Sequence, residues 1–72
     1  SARVEMALIV TGQRFEIAQA TPTHLYLRTP TELTAGTGVL SISIDGNVTQ
    51  QAVQLSGDIQ PGSLAVPFQR IV

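Results

Sequence analysis

Seventy-two residues, 43% hydrophobic and 12% charged, make one small domain near the lower size limit for a self-sufficient core. They argue against disorder, whose mark is low hydrophobicity with high net charge. A net charge of −1, no Lys, and Arg scattered at positions 3, 14, 28 and 70 leave no basic patch, which argues against binding to nucleic acid or an acidic membrane surface. The absence of Cys excludes disulfides, a thiolate nucleophile and Cys-ligated metal. The longest apolar run, Ala7–Val10, is far too short to cross a bilayer or form a signal-peptide core, so the expectation is a cytoplasmic chain without membrane contact.

Period 2 runs through the sequence. In RVEMALIVT, residues 3–11, Val4, Met6, Leu8 and Val10 share one face, with Arg3, Glu5 and Thr11 on the other. Gly12-Gln13 then reads as a two-residue turn with Gly first. It pairs Thr11 with Arg14, Val10 with Phe15 and Leu8 with Ile17, which puts those apolar residues on one face. THLYLRT, residues 23–29, is a third strand between Pro22 and Pro30, with Leu25 and Leu27 inward. The polar connection PTELTAGTG, residues 30–38, carries Leu33 to one end of the core.

VLSISI, residues 39–44, is a fourth strand with Leu40, Ile42 and Ile44 inward. Asp45-Gly46 is a hairpin signal. A two-residue turn there puts Thr49, Gln51, Val53 and Leu55 on the face of Ile42. A three-residue loop would put Val48, Gln50 and Ala52 there instead, and the larger Val53–Leu55 pair favours the first. After the loop SGDIQPG, residues 56–62, SLAVPFQRI is the last strand, with Leu64, Val66 and Phe68 inward. Pro67 cannot donate to a ladder, which places this strand at an edge or turns the missing N–H side outward. No segment carries helical periodicity. The prediction is a single all-β domain over residues 1–72, a small six-stranded antiparallel barrel or sandwich.

Little in this chain supports catalysis. Glu5 and Glu16 fall on outward faces, Asp45 and Asp58 in turns where Asp caps backbone N–H groups, and Glu32 in the polar connection. His24 has Ser and Asp residues to choose from, but no Ser sits in a nucleophile elbow. One His and no Cys make a poor metal set, and DGN at 45–47 lacks the further oxygen ligands of a calcium loop. AGTGV at 35–39 lacks the third Gly and following helix of a phosphate cradle. Only Tyr26 is free as a stacking platform, too few for RNA binding on a sheet face. The chemically capable cluster is AQATPTHLYLRT, residues 18–29, where alternation sets His24, Tyr26 and Arg28 on one face at intervals of about 6.5–7 Å. An imidazole, a phenol and a guanidinium in a row suit an anion or a flat aromatic ligand. The same residues also suit an ordinary outward strand face.

The order of features in FEIAQATPTHLYLRTPTELTAGTGVLSISIDGNVTQQAVQL, residues 15–55, resembles the middle of the PilZ domain. That family is a small six-stranded β-barrel of bacteria that often binds cyclic di-guanylate. Its members place a D/N-x-S-x-x-G motif between a strand and a second strand of alternating large apolar residues, followed by a loop ending in Gly and a hairpin. Here the Asp/Asn position falls on Gln19, the Ser position on Thr21 and the Gly position on His24. The family's R-x-x-x-R is absent, since Ala7 follows Arg3 and Ala18 follows Arg14 at that spacing. The resemblance therefore implies a degenerate PilZ-like barrel that has lost the dinucleotide and acts through protein contacts. The expectation is a non-catalytic interaction module without a cofactor, meeting a protein partner or a second copy of itself through Gln19, Thr21, His24, Tyr26 and Arg28. The alternative is a site for a small nucleotide or anion on the same turn and strand face.

Overall fold

The computed structural model describes residues 3–31, 33–57 and 62–71. It is all-β: β1 (Val4–Val10), β2 (Gln13–Ala20), β3 (His24–Leu27), β4 (Gly36–Ile44), β5 (Asn47–Leu55) and β6 (Ala65–Arg70). These close into a barrel in the order β1-β2-β3-β6-β5-β4, with β4 returning to β1. Every neighbouring pair is antiparallel. Closure resolves the choice between barrel and sandwich, and it pairs the sheet edges that a sandwich would leave open.

Alternation fills the interior. Leu8, Ile17, Leu25, Leu27, Leu40, Val53, Leu55, Val66 and Phe68 form one buried cluster, which Leu33 joins from the β3–β4 connection. Phe15, Met6, Val10 and Ile42 pack against it in part. The β4–β5 hairpin has the two-residue turn that the larger apolar pair favours. Ile44 pairs with Asn47, Ile42 with Thr49 and Leu40 with Gln51, and both turn residues have positive φ, 51° at Asp45 and 87° at Gly46. This turn chemistry matches the twist of an antiparallel pair. Gln51, a polar residue on the inward row, is satisfied at the barrel end, where its Nε2 donates to the carbonyls of Ala52 and Ile71 at 3.0 and 2.9 Å.

Four expectations need correction. The first turn is Thr11-Gly12, not Gly12-Gln13, because Val10 pairs with Gln13 and Leu8 with Phe15. Moving a two-residue turn by one position shifts the register by two, so the same residues stay inward and the apolar pattern cannot distinguish the two turns. Thr11 takes a φ of 50° that a β-branched residue rarely adopts, while its hydroxyl donates to the Val10 carbonyl at 2.7 Å. Second, β4 begins at Gly36, before the expected Val39, because Gly36 and Gly38 pair with Leu55 and Val53.

Third, Leu64 is not inward. The β3–β6 ladder ends at Tyr26↔Ala65, so Leu64 lies past the ladder, 42% exposed, with its carbonyl accepting from Leu27 N. Ile44 likewise reaches the barrel mouth beside its partner Val4, and both are about half exposed. Fourth, β6 is not an edge strand, since β3 and β5 flank it. Pro67 fits because the β5–β6 ladder runs from Val53↔Arg70 to Leu55↔Phe68 and stops one position short of it. Its carbonyl still accepts from Ser56 N at 3.0 Å. The turn expected at Asp58 and the position of Glu32 lie outside the described residues.

Candidate functional site

The β2–β3 connection is built around one hydroxyl. Thr21 Oγ1 accepts from His24 N at 3.0 Å and from Thr23 N at 3.3 Å, and it donates to the His24 carbonyl at 3.2 Å. Thr21 N also donates to the His24 carbonyl, at 2.8 Å. Thr at this position therefore closes a tight turn through its own side chain, a role short hydroxyl side chains fill well. The turn delivers β3 with Leu25 and Leu27 buried and Tyr26 outward.

On the outer surface the His24 and Tyr26 rings lie 6.4 Å apart, centroid to centroid, inclined by 28°. This is an offset-stacked geometry. His24 Nδ1 hydrogen-bonds the Thr23 hydroxyl at 2.8 Å, which fixes the imidazole next to the phenol. Cross-strand pairing then widens the patch: Gln19 and Ala65 flank Tyr26, and Pro67 lies opposite His24. Ala65 and Pro67 were not visible as site residues in the sequence, because nothing in it fixes the register between β3 and β6.

Of the five candidate residues, Gln19, His24 and Tyr26 lie together on this face, and Thr21 supports it from the turn. Arg28 follows on the same outward row, with its backbone N donating to the Glu16 carbonyl at 3.1 Å. Its side chain makes no ring contact with Tyr26 and lines a different groove, together with Glu5 and Glu16 from β1 and β2. The cross-strand neighbours of the two rings, Gln19, Ala65 and Pro67, carry no charged side chain. No group of three His, Cys, Asp or Glu among the described residues is arranged to hold a metal ion.

No helix among the described residues is long and apolar enough to cross a membrane. Comparison of the chain with protein-family models, with curated proteins and with solved structures finds no match.

Proposed function

We propose that this domain is a non-catalytic interaction module, a PilZ-like barrel that has given up a dinucleotide and meets a protein partner through the His24–Tyr26 face. The observation that carries this reading is the pairing of two stacked rings with cross-strand neighbours that, among the described residues, carry no Arg, Asp or Glu. His24 and Tyr26 stack at 6.4 Å beside Gln19, Ala65 and Pro67. Anchoring aromatics beside uncharged cross-strand neighbours suit a protein interface, where Tyr is enriched and charge is depleted at the centre. A nucleotide would need donors or cations for its phosphates. The Thr21 hydroxyl is committed to the turn backbone, and Arg28 lines another groove.

A photo-reactive amino acid at position 26 tests the reading inside cells of the source. The expected result is a discrete protein adduct that is absent when the same group replaces Gln50, an exposed residue on β5, two strands away from β3. Equal labelling from both positions would overturn it.

A further inference from the structure

The barrel closes unevenly. The β1–β2 ladder runs from Val10↔Gln13 to Ala7↔Glu16 and stops. Beyond it Val4, Glu5 and Met6 stay paired with β4. A bulge between Ile17 and Gln19 swings the rest of β2 along β3, where Gln19 and Ala20 pair with Tyr26 and Leu25. Among the described residues no strand lies against the other edge of Val4–Met6 or of Gln19–Ala20. The wedge between them is an open groove of about 520 Å³, lined by Val4, Glu5, Met6, Ile17, Ala18 and Arg28.

Among the described residues the two acids around this groove are paired and its arginine is not. Glu5 is paired with Arg3 at 2.8 Å and Glu16 with Arg14 at 3.1 Å. The Arg28 guanidinium has no hydrogen bond or ion pair among the described residues. Among the described residues, an unpaired strand edge, an apolar wall and a cation without a counterion therefore meet in one place, apart from the His24–Tyr26 patch.

We infer that the splayed β1–β2 seam receives one extended segment of a protein partner, whose backbone pairs with the free edge of Val4–Met6 and whose acidic side chain meets Arg28. Strand addition of this kind draws affinity from main-chain hydrogen bonds and specificity from alternating side chains. The alternation is set by the groove. Val4, Met6 and Ile17 belong to the inward rows of β1 and β2, and Glu5, Glu16 and Arg28 to outward rows. An inserted strand accordingly presents apolar residues at alternate positions and an acid between them. Neighbouring strands sit about 4.8 Å apart, so an extended segment paired with Val4–Met6 takes one strand position beside β1. A second folded copy would bring its own flanking strands, and a free inorganic anion would face two carboxylates without gaining the backbone edge.

The test is a chemical-shift titration of the 15N-labelled domain with three capped probes. These are acetyl-Thr-Val-Glu-Val-Thr-amide, its Glu→Lys counterpart, and acetyl-Gly-Pro-Glu-Pro-Gly-amide, which keeps the acid but cannot form a strand. The expected result is saturable shifts at the amides of Val4, Met6, Ile17 and Ala18 with the first probe alone, at a Kd of about 1 mM or tighter. Arg28→Gln and Arg28→Glu, at an exposed position, leave the spectrum folded and weaken this binding by about tenfold or more. The inference is overturned by any one of four results: no saturable shift, equal response to the Lys or Pro probe, shifts confined to residues 24–26, or the same amides moving with protein concentration alone as a dimer forms.

Discussion

Arg3 and Asp45 hold each other through a reciprocal pair of hydrogen bonds. Arg3 N donates to Asp45 Oδ1 at 2.8 Å, and Asp45 N donates to the Arg3 carbonyl at 2.9 Å. The same aspartate occupies a left-handed turn position, φ 51°, so one residue both shapes the β4–β5 turn and pins the start of β1 to it. Asp45→Ala removes the acceptor and the residue type that tolerates this φ, and is expected to cost about 1–2 kcal/mol in urea unfolding. Asp45→Asn keeps both features and is expected to cost less than half as much.

Gly38 lies where β4 passes beneath the end of β1. A Cβ there would sit 3.0 Å from the Ile9 carbonyl oxygen and 3.1 Å from Val10 Cγ2. The carbonyl belongs to a paired strand and cannot step aside cheaply, so Gly38→Ala is expected to destabilise by about 1–3 kcal/mol. Gly57→Ala is the control. Nothing lies within 4 Å of its added methyl and its φ is not positive, so its unfolding midpoint should stay close to wild type.

Thr21 tests whether the turn is built on its hydroxyl. Thr21→Val keeps the volume and deletes three hydrogen bonds to the His24 and Thr23 backbone. A loss of about 1–2 kcal/mol is expected, with Thr21→Ser close to wild type. Valine behaving like serine in chemical denaturation would show that the turn does not depend on the hydroxyl.

Leu25 and Tyr26 are neighbours on β3 with opposite duties. Leu25 is fully buried and Tyr26 is 36% exposed. Leu25→Ala is expected to cost about 2–5 kcal/mol through the cavity it leaves. Tyr26→Ala is expected to stay within about 0.5 kcal/mol, as surface changes do. Thermal unfolding of the two variants checks the division, and Tyr26→Ala then serves as a folded probe of the face itself.

Alternation made the barrel legible, because period 2 fixes which residues face inward whatever the register. That is why Leu25, Leu40, Val53 and Phe68 are read correctly from the sequence. It is also why the Thr11-Gly12 turn is misplaced, since a shift of two leaves every face unchanged. The Asp45-Gly46 turn is read correctly because a one-residue change there would exchange Val53 and Leu55 for Gln50 and Ala52. Strand ends are harder: Leu64, Ile44 and Val4 continue the inward pattern but run past the packed interior. The site was legible only in part. Spacing along β3 brings His24 and Tyr26 together, but it cannot foresee the bulge at Ala18 or the splayed seam that gives Arg28 a groove of its own. Those follow from how β2 divides its length between β1 and β3, a tertiary compromise with no local signal.

Titration of the 15N-labelled domain with cyclic di-guanylate separates the proposed protein-binding face from a dinucleotide site. The amides of Gln19, Thr21, His24 and Tyr26 are expected to stay in place up to millimolar ligand. Saturable movement of those resonances, abolished by Tyr26→Ala, would contradict the protein-binding reading.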